Sequence, residues 1–211
     1  MKKLWILAVM GVFLSLKTLS AAEPVPSAQA CSPETTEAAQ KVANELTALY
    51  GPEQKALTKE LADQRGKLFQ KLAAYGNCAV PILEKDFWKT PDAPRKIMAL
   101  YGFGAILKKD AQGYLLEGLQ DPDRDVRIIA VYMLSPHRDE KTENALIDML
   151  AKETDESAKM LVMASLLDFD NDKALAAVQS CQNDKNPKVQ QAAKALLERF
   201  NQLKSQKKGA V

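Results

Sequence analysis

The sequence predicts an all-α protein, an α-solenoid of about four to five stacked helix pairs, on three observations. An acidic turn followed by an apolar helix start recurs every 31 or 32 residues. A second set of apolar positions recurs with the same period. No stretch of useful length alternates apolar and polar residues as a half-buried strand does.

The first element is an export signal. Met1-Lys2-Lys3 is a positive start, Leu4 to Leu16 is an apolar run, and Ser20-Ala21-Ala22 supplies small residues before Glu23. That order predicts a secretory signal peptide over 1–22, cleaved after Ala22, with cleavage after Ala30 as the alternative. The apolar run falls short of the roughly 20 residues a membrane-spanning helix needs. Localisation is therefore expected to be periplasmic or secreted. Cys31 opens the further alternative of a lipid anchor, but Ala28 and the intervening Pro24 and Pro26 fit a lipoprotein box poorly. Without residues 1–22 the chain loses three lysines and no acid, leaving 26 basic and 27 acidic side chains. Nothing in that balance suggests nucleic acid, whose backbone demands a clustered basic footprint, and no nucleic-acid partner is expected.

Residues 23–34, rich in Ala, Pro and Ser, read as a flexible leader. N-terminal capping helices follow over 35–75. The first, Thr35 to Tyr50, carries Val42, Leu46, Leu49 and Tyr50 on one side. Gly51-Pro52 breaks it, and a longer helix carries Leu57, Leu61, Leu68 and Leu72 to Tyr75. The repeats occupy 76–204, with the second helix of repeat one at 78–88, then units near 91–120, 122–152 and 154–182. A terminal helix at 187–204 and a basic tail at 205–211 complete the chain.

The repeat shows in two columns. Asp121-Pro122-Asp123-Arg124-Asp125-Val126-Arg127 has counterparts at Glu153-Thr154-Asp155 and at Asp184-Lys185-Asn186-Pro187. In the second helices, Leu83, Leu115, Leu146 and Ala177 align, as do Phe87, Leu119, Leu150 and Cys181. A helix pair this short cannot bury its apolar face alone, so neighbours must stack.

The start at 121–127, and Ala79-Val80-Pro81-Ile82-Leu83 opening a second helix, resemble the short bacterial HEAT-like repeat and the phycobilin-lyase HEAT-like repeat. The resemblance covers roughly Leu57 to Phe200 and implies a HEAT-like superhelix. It also implies that Arg95 and Arg127 pack along an inter-repeat ladder with loop acids such as Asp123. Lys159 and Gln190 replace arginine further on, so the ladder is expected to weaken toward the C-terminus.

Candidate chemistry is sparse. His137, the only histidine, lies in a turn beside Ser135 and Asp139, where adjacency alone does not build a nucleophilic triad. Asp168, Asp170 and Asp172 occupy positions 1, 3 and 5 of a calcium loop, but Lys173 and Gln179 stand where Gly and Glu are needed, leaving a weak calcium possibility. Asp121, Asp123 and Asp125 match less well. Gly102 and Gly104 interrupt a helix and point to close helix packing. Cys78 and Cys181, about 100 residues apart, read as buried small apolar residues, and any bridge would have to use Cys31. No cofactor is expected.

The expected function is a non-catalytic exported scaffold binding a protein or peptide on its concave face, through Lys85, Trp88, Glu117 and Asp148 on successive second helices. Two alternatives remain open: a structural component of an envelope assembly, membrane-associated only if Cys31 is lipidated, or a lyase-like binder of a small ligand. The latter would need convergent polar groups in a pocket.

Overall fold

The computed structural model describes residues 31–50 and 58–209; the expected signal peptide and most of the leader lie outside them. Among the described residues all regular structure is helical and no strand occurs. None of these helices is long and apolar enough to cross a membrane. The chain divides into two compact units between Lys108 and Lys109.

In the first unit, α1 (Pro33–Ala48) starts two residues before the expected Thr35. The Ser32 hydroxyl accepts the Thr35 N–H and Pro33 occupies the first turn, where its missing N–H costs nothing. Helix α2 (Lys59–Ala73) is capped by Thr58 and packs on α1. Ala39, Val42, Ala43 and Leu46 from α1 meet Phe69 and Leu72 from α2, all buried. A 3-10 turn (Gly76–Ala79) follows, opened by Gly76 at φ 56°, the left-handed region that favours glycine. Helix α3 begins as an α-turn, Val80–Ile82, and continues as a π-helical segment, Leu83–Trp88. Helix α4 (Ala93–Leu107), capped by Asp92, packs along that segment.

Gly102 of α4 faces Leu83 of α3. A Cβ there would lie 2.6 Å from Leu83 Cδ1, and Leu83 is itself fully buried. The glycine is thus a packing device, as its position in an apolar helix suggested. Replacing Gly102 by Val should cost about 1–3 kcal/mol through overpacking, read as a lower urea midpoint. An unchanged midpoint would show that α4 can move away from α3.

The structure corrects the reading of Cys78 as a buried apolar residue. Cys31 and Cys78 form a disulfide, with Cα atoms 5.5 Å apart. The Ser32 cap fixes the end of the leader at the start of α1, and α1 packs on the 3-10 turn that carries Cys78. Cys181 is free and buried.

A 3-10 turn (Lys108–Ala111) spans the division, and α5 (Gln112–Gly118) is the first helix of the second unit. Helices α6 (Arg124–Leu134), α8 (Glu156–Leu167) and α10 (Pro187–Gly209) are the first helices of successive repeats. Helices α7 (Glu140–Lys152) and α9 (Asp172–Ser180) are second helices. First helices stack on first helices, α6 on α8 and α8 on α10, while α7 packs on α8 and α9. Helix α10 runs through Gly209, so residues 205–209, expected as a tail, continue the terminal helix. Leu115, Leu146, Leu119, Leu150 and Cys181 are all buried, as the aligned columns require. The exception is Ala177, which is half-buried, its place in the core of α9 taken by Ala174 and Val178.

Candidate partner-binding surfaces

The inter-repeat turns of the second unit are built from one design used three times. Asp121, Glu153 and Asp184 each accept the backbone N–H two residues on, at 2.8, 2.9 and 2.8 Å. Asp123, Asp155 and Asn186 then cap the following helix. A cationic or amide side chain four residues further on closes the turn. Arg127 donates from Nε and Nη2 to both oxygens of Glu153, at 2.8 and 2.9 Å, and from Nη1 to the carbonyls of Asp121 and Pro122. Lys159 donates to Asp184 at 2.5 Å, and Gln190 donates to the Asp184 carbonyl at 2.6 Å. The ladder is therefore real, but its acid is corrected. Arg127 reaches Glu153 in the next turn, while Asp123 is occupied as a helix cap. The Arg-Lys-Gln series loses one charged bond after another, so the ladder does weaken toward the C-terminus.

Burial works against the Glu153 carboxylate, yet its bond to Arg127 and two backbone N–H groups outweigh it and hold the group below the usual range. Asp184 is lowered by Lys159 and by the Asn186 N–H. These perturbed groups are structural: each is consumed in closing a turn.

The four residues expected to contact a partner fare differently. Glu117 on α5 and Asp148 on α7 are exposed, above the buried Leu115 and Leu146 of the same helices. Lys85 is exposed in the first unit. Trp88 is withdrawn from the surface and is corrected as a contact: it is 7% exposed, its ring packs edge-on against Phe103, and Lys96 covers it. The π-helical turn is the physical reason, since it rotates Trp88 inward relative to an ordinary helix.

That same turn creates a surface the sequence did not reveal. Lys85, Asp86 and Lys89 line a polar groove of about 480 Å³ with Thr90 and Arg95. Its other wall is the face of α1 carrying Gln40, Asn44 and Thr47, spaced to share one side of a helix. Gln40 ties the walls together, donating to Asp86 at 2.8 Å and to Asn44 at 3.0 Å. Lys89 is ion-paired with Glu84. Arg95 Nε is buried without a hydrogen-bond partner.

The remaining candidates do not assemble. Asp168 is paired with Arg138 and Asp170 with Lys204, so two of the three possible calcium ligands are engaged by cations. Asp172 follows the Asn171 cap of α9. Among the described residues no group of three metal-ligating side chains converges. Asp139 caps α7 and accepts a bond from Gln112. An apolar recess between α8 and α10, floored by Leu167, Leu196, Phe200 and Leu203, is rimmed by Arg199 and Lys204.

No curated protein matches the chain. Residues 113–198 match the family model of HEAT repeats.

Proposed function

We propose that the protein is an exported, non-catalytic scaffold that binds a protein or peptide partner along the exposed side of its second helices. HEAT repeats commonly mediate protein interactions and as a family are generally non-catalytic. The observation that carries the reading is a division of labour within each second helix. The buried columns are uniformly apolar, whereas the exposed column changes from Glu117 to Asp148 to Gln179. Packing explains the first pattern and is indifferent to the second, which is where a recognition surface has freedom to vary. Perturbed carboxylates, the usual mark of a catalytic site, here close turns instead.

Export is supported by the leader pattern at 1–22 and by the Cys31–Cys78 bridge, since such bonds persist in oxidising compartments. A lipid anchor would need the Cys31 sulfur, which the bridge uses, and this favours a free module over an anchored one.

The test places a photo-cross-linker at position 117, 148 or 157 in turn, in the native cell. Ser157 is exposed on the first turn of α8, a first helix, and serves as the control. The same adduct at 117 and 148, absent at 157, is expected. Adducts only at 157, or none at all, would remove the second helices as the binding surface.

A further inference from the structure

We propose that the polar groove of the first unit receives a carboxylate-bearing segment of the partner protein, an acidic stretch or side chain held by Lys85 and Arg95. The inference rests on the scaffold reading and names the chemistry of one contact within it. Three observations lead to it.

The first is an unsatisfied donor. The place of Arg127, the fourth residue after a helix cap, is taken in the first unit by Lys96, whose N–H bonds to the Asp92 carbonyl as that of Arg127 does to Asp123. Arg95, one residue earlier on the first turn of α4, is left outside the ladder, and its Nε atom is buried with no hydrogen-bond partner. A guanidinium nitrogen shut off from water without a partner is costly, and a carboxylate is the acceptor that its planar fork fits best.

The second is the balance of charge. Lys85, Lys89 and Arg95 face the groove against one acid, Asp86. Asp86 already accepts from Gln40, and Lys89 already meets Glu84. Lys85 and Arg95 therefore set the sign of the potential that an entering group meets. The amide and hydroxyl groups of Asn44, Thr47 and Thr90 complete a lining suited to a polar main chain around the acid.

The third is the backbone. The π-helical segment Leu83–Trp88 follows directly on an ordinary helical turn, and its Lys89 N–H donates to the Glu84 carbonyl at 2.9 Å. Such widened turns are rare and are found often at functional sites. Here the segment and the residue after it present Lys85, Asp86 and Lys89 to one groove while Trp88 is buried. A regular helix would not divide these residues in the same way.

The probe is a fluorescein-labelled peptide of alternating Glu and Gly, set against a Gln/Gly peptide of equal length and against inorganic phosphate as competitor. The full mature chain should bind the acidic peptide, bind the Gln peptide at least about tenfold more weakly, and lose affinity as salt rises. Lys85→Ala and Arg95→Gln should each weaken binding about tenfold, the scale of one charge-assisted hydrogen bond. Lys141→Ala, an exposed lysine on α7, should change nothing. Circular dichroism shows which variants remain folded, and Lys85, being exposed, keeps the test intact should Arg95→Gln unfold. Equal binding of the two peptides would overturn the proposal. So would unchanged affinity in the folded Lys85→Ala variant, or phosphate binding with no peptide bound. Loss of the groove result with cross-links at 117 and 148 retained overturns this inference alone and leaves the scaffold reading standing.

Discussion

Replacing Arg127 by Met is expected to destabilise the protein by about 3–5 kcal/mol, the cost of stranding a buried charge. The stranded group is Glu153, whose side chain is 2% exposed. It would keep the backbone N–H groups of Thr154 and Asp155 and lose both bonds from the guanidinium. The carbonyls of Asp121 and Pro122 would lose their donor as well. Arg127→Lys should recover only part of the loss, because an ammonium cannot span both carboxylate oxygens and both carbonyls. The double variant Arg127→Met with Glu153→Gln is the diagnostic one. A glutamine still offers an oxygen to the two N–H groups but carries no charge, so the pair should be more stable than Arg127→Met alone. Urea denaturation of the four proteins checks this. A single variant within 1 kcal/mol of the parent would show that the turn relaxes enough to hydrate Glu153.

The same pair sets an acid limit. The folded-state pKa of Glu153 is depressed, so its contribution is complete above the ordinary value of 4.5 and disappears as pH falls through the lowered one. Asp184 acts in the same direction through Lys159. Stability should thus fall on acidification below about pH 4.5, and Arg127→Met should flatten that fall. Burial alone would push Glu153 upward once its cation is gone.

The ladder also shows how far a sequence carries. The repeat was legible because each unit must bury the same face against its neighbours, and Leu115, Leu146, Leu119 and Leu150 record that need in plain apolar letters. The cap at Asp123 answers a similar need, since satisfying orphaned N–H groups is a local task with few chemical solutions. The partner of Arg127 was not, since Asp123 and Glu153 are both acids near a turn and only the register of stacking chooses between them. The groove was missed for a different reason. Gln40, Asn44 and Thr47 look like any solvated helix face, and Arg95 looks like one more rung. What joins them is a π-helical turn at 83–88, a backbone state that no residue there announces. Trp88, named as a contact, is buried by the same turn. Of the four residues expected to meet a partner, Lys85, Glu117 and Asp148 are the exposed ones.

Removing the Cys31–Cys78 bridge is expected to have a comparable effect, and in the other unit. The bridge joins residues 47 apart in sequence. Closing a loop of that length restricts the unfolded chain by about 4 kcal/mol in the chain-entropy description. Folded contacts would change little, since α1 still buries Ala39, Val42, Ala43 and Leu46. The loss should therefore appear as a lower unfolding midpoint with native helicity retained in mild conditions. Reduction and the Cys31→Ser/Cys78→Ser variant should agree, and the variant should be indifferent to reductant. Thiol labelling gives the independent check: denatured but unreduced protein should take one label, at Cys181, and reduced protein three. In the native state Cys181 should label slowly, because burial raises its thiol pKa and keeps it protonated. Three labels without reduction would mean that the bridge does not form in the protein as isolated. A midpoint unmoved by reductant would mean that α1 is held by packing alone. Either result would also weaken the case for export, which draws on that bond, while leaving the ladder and the repeats of the second unit untouched.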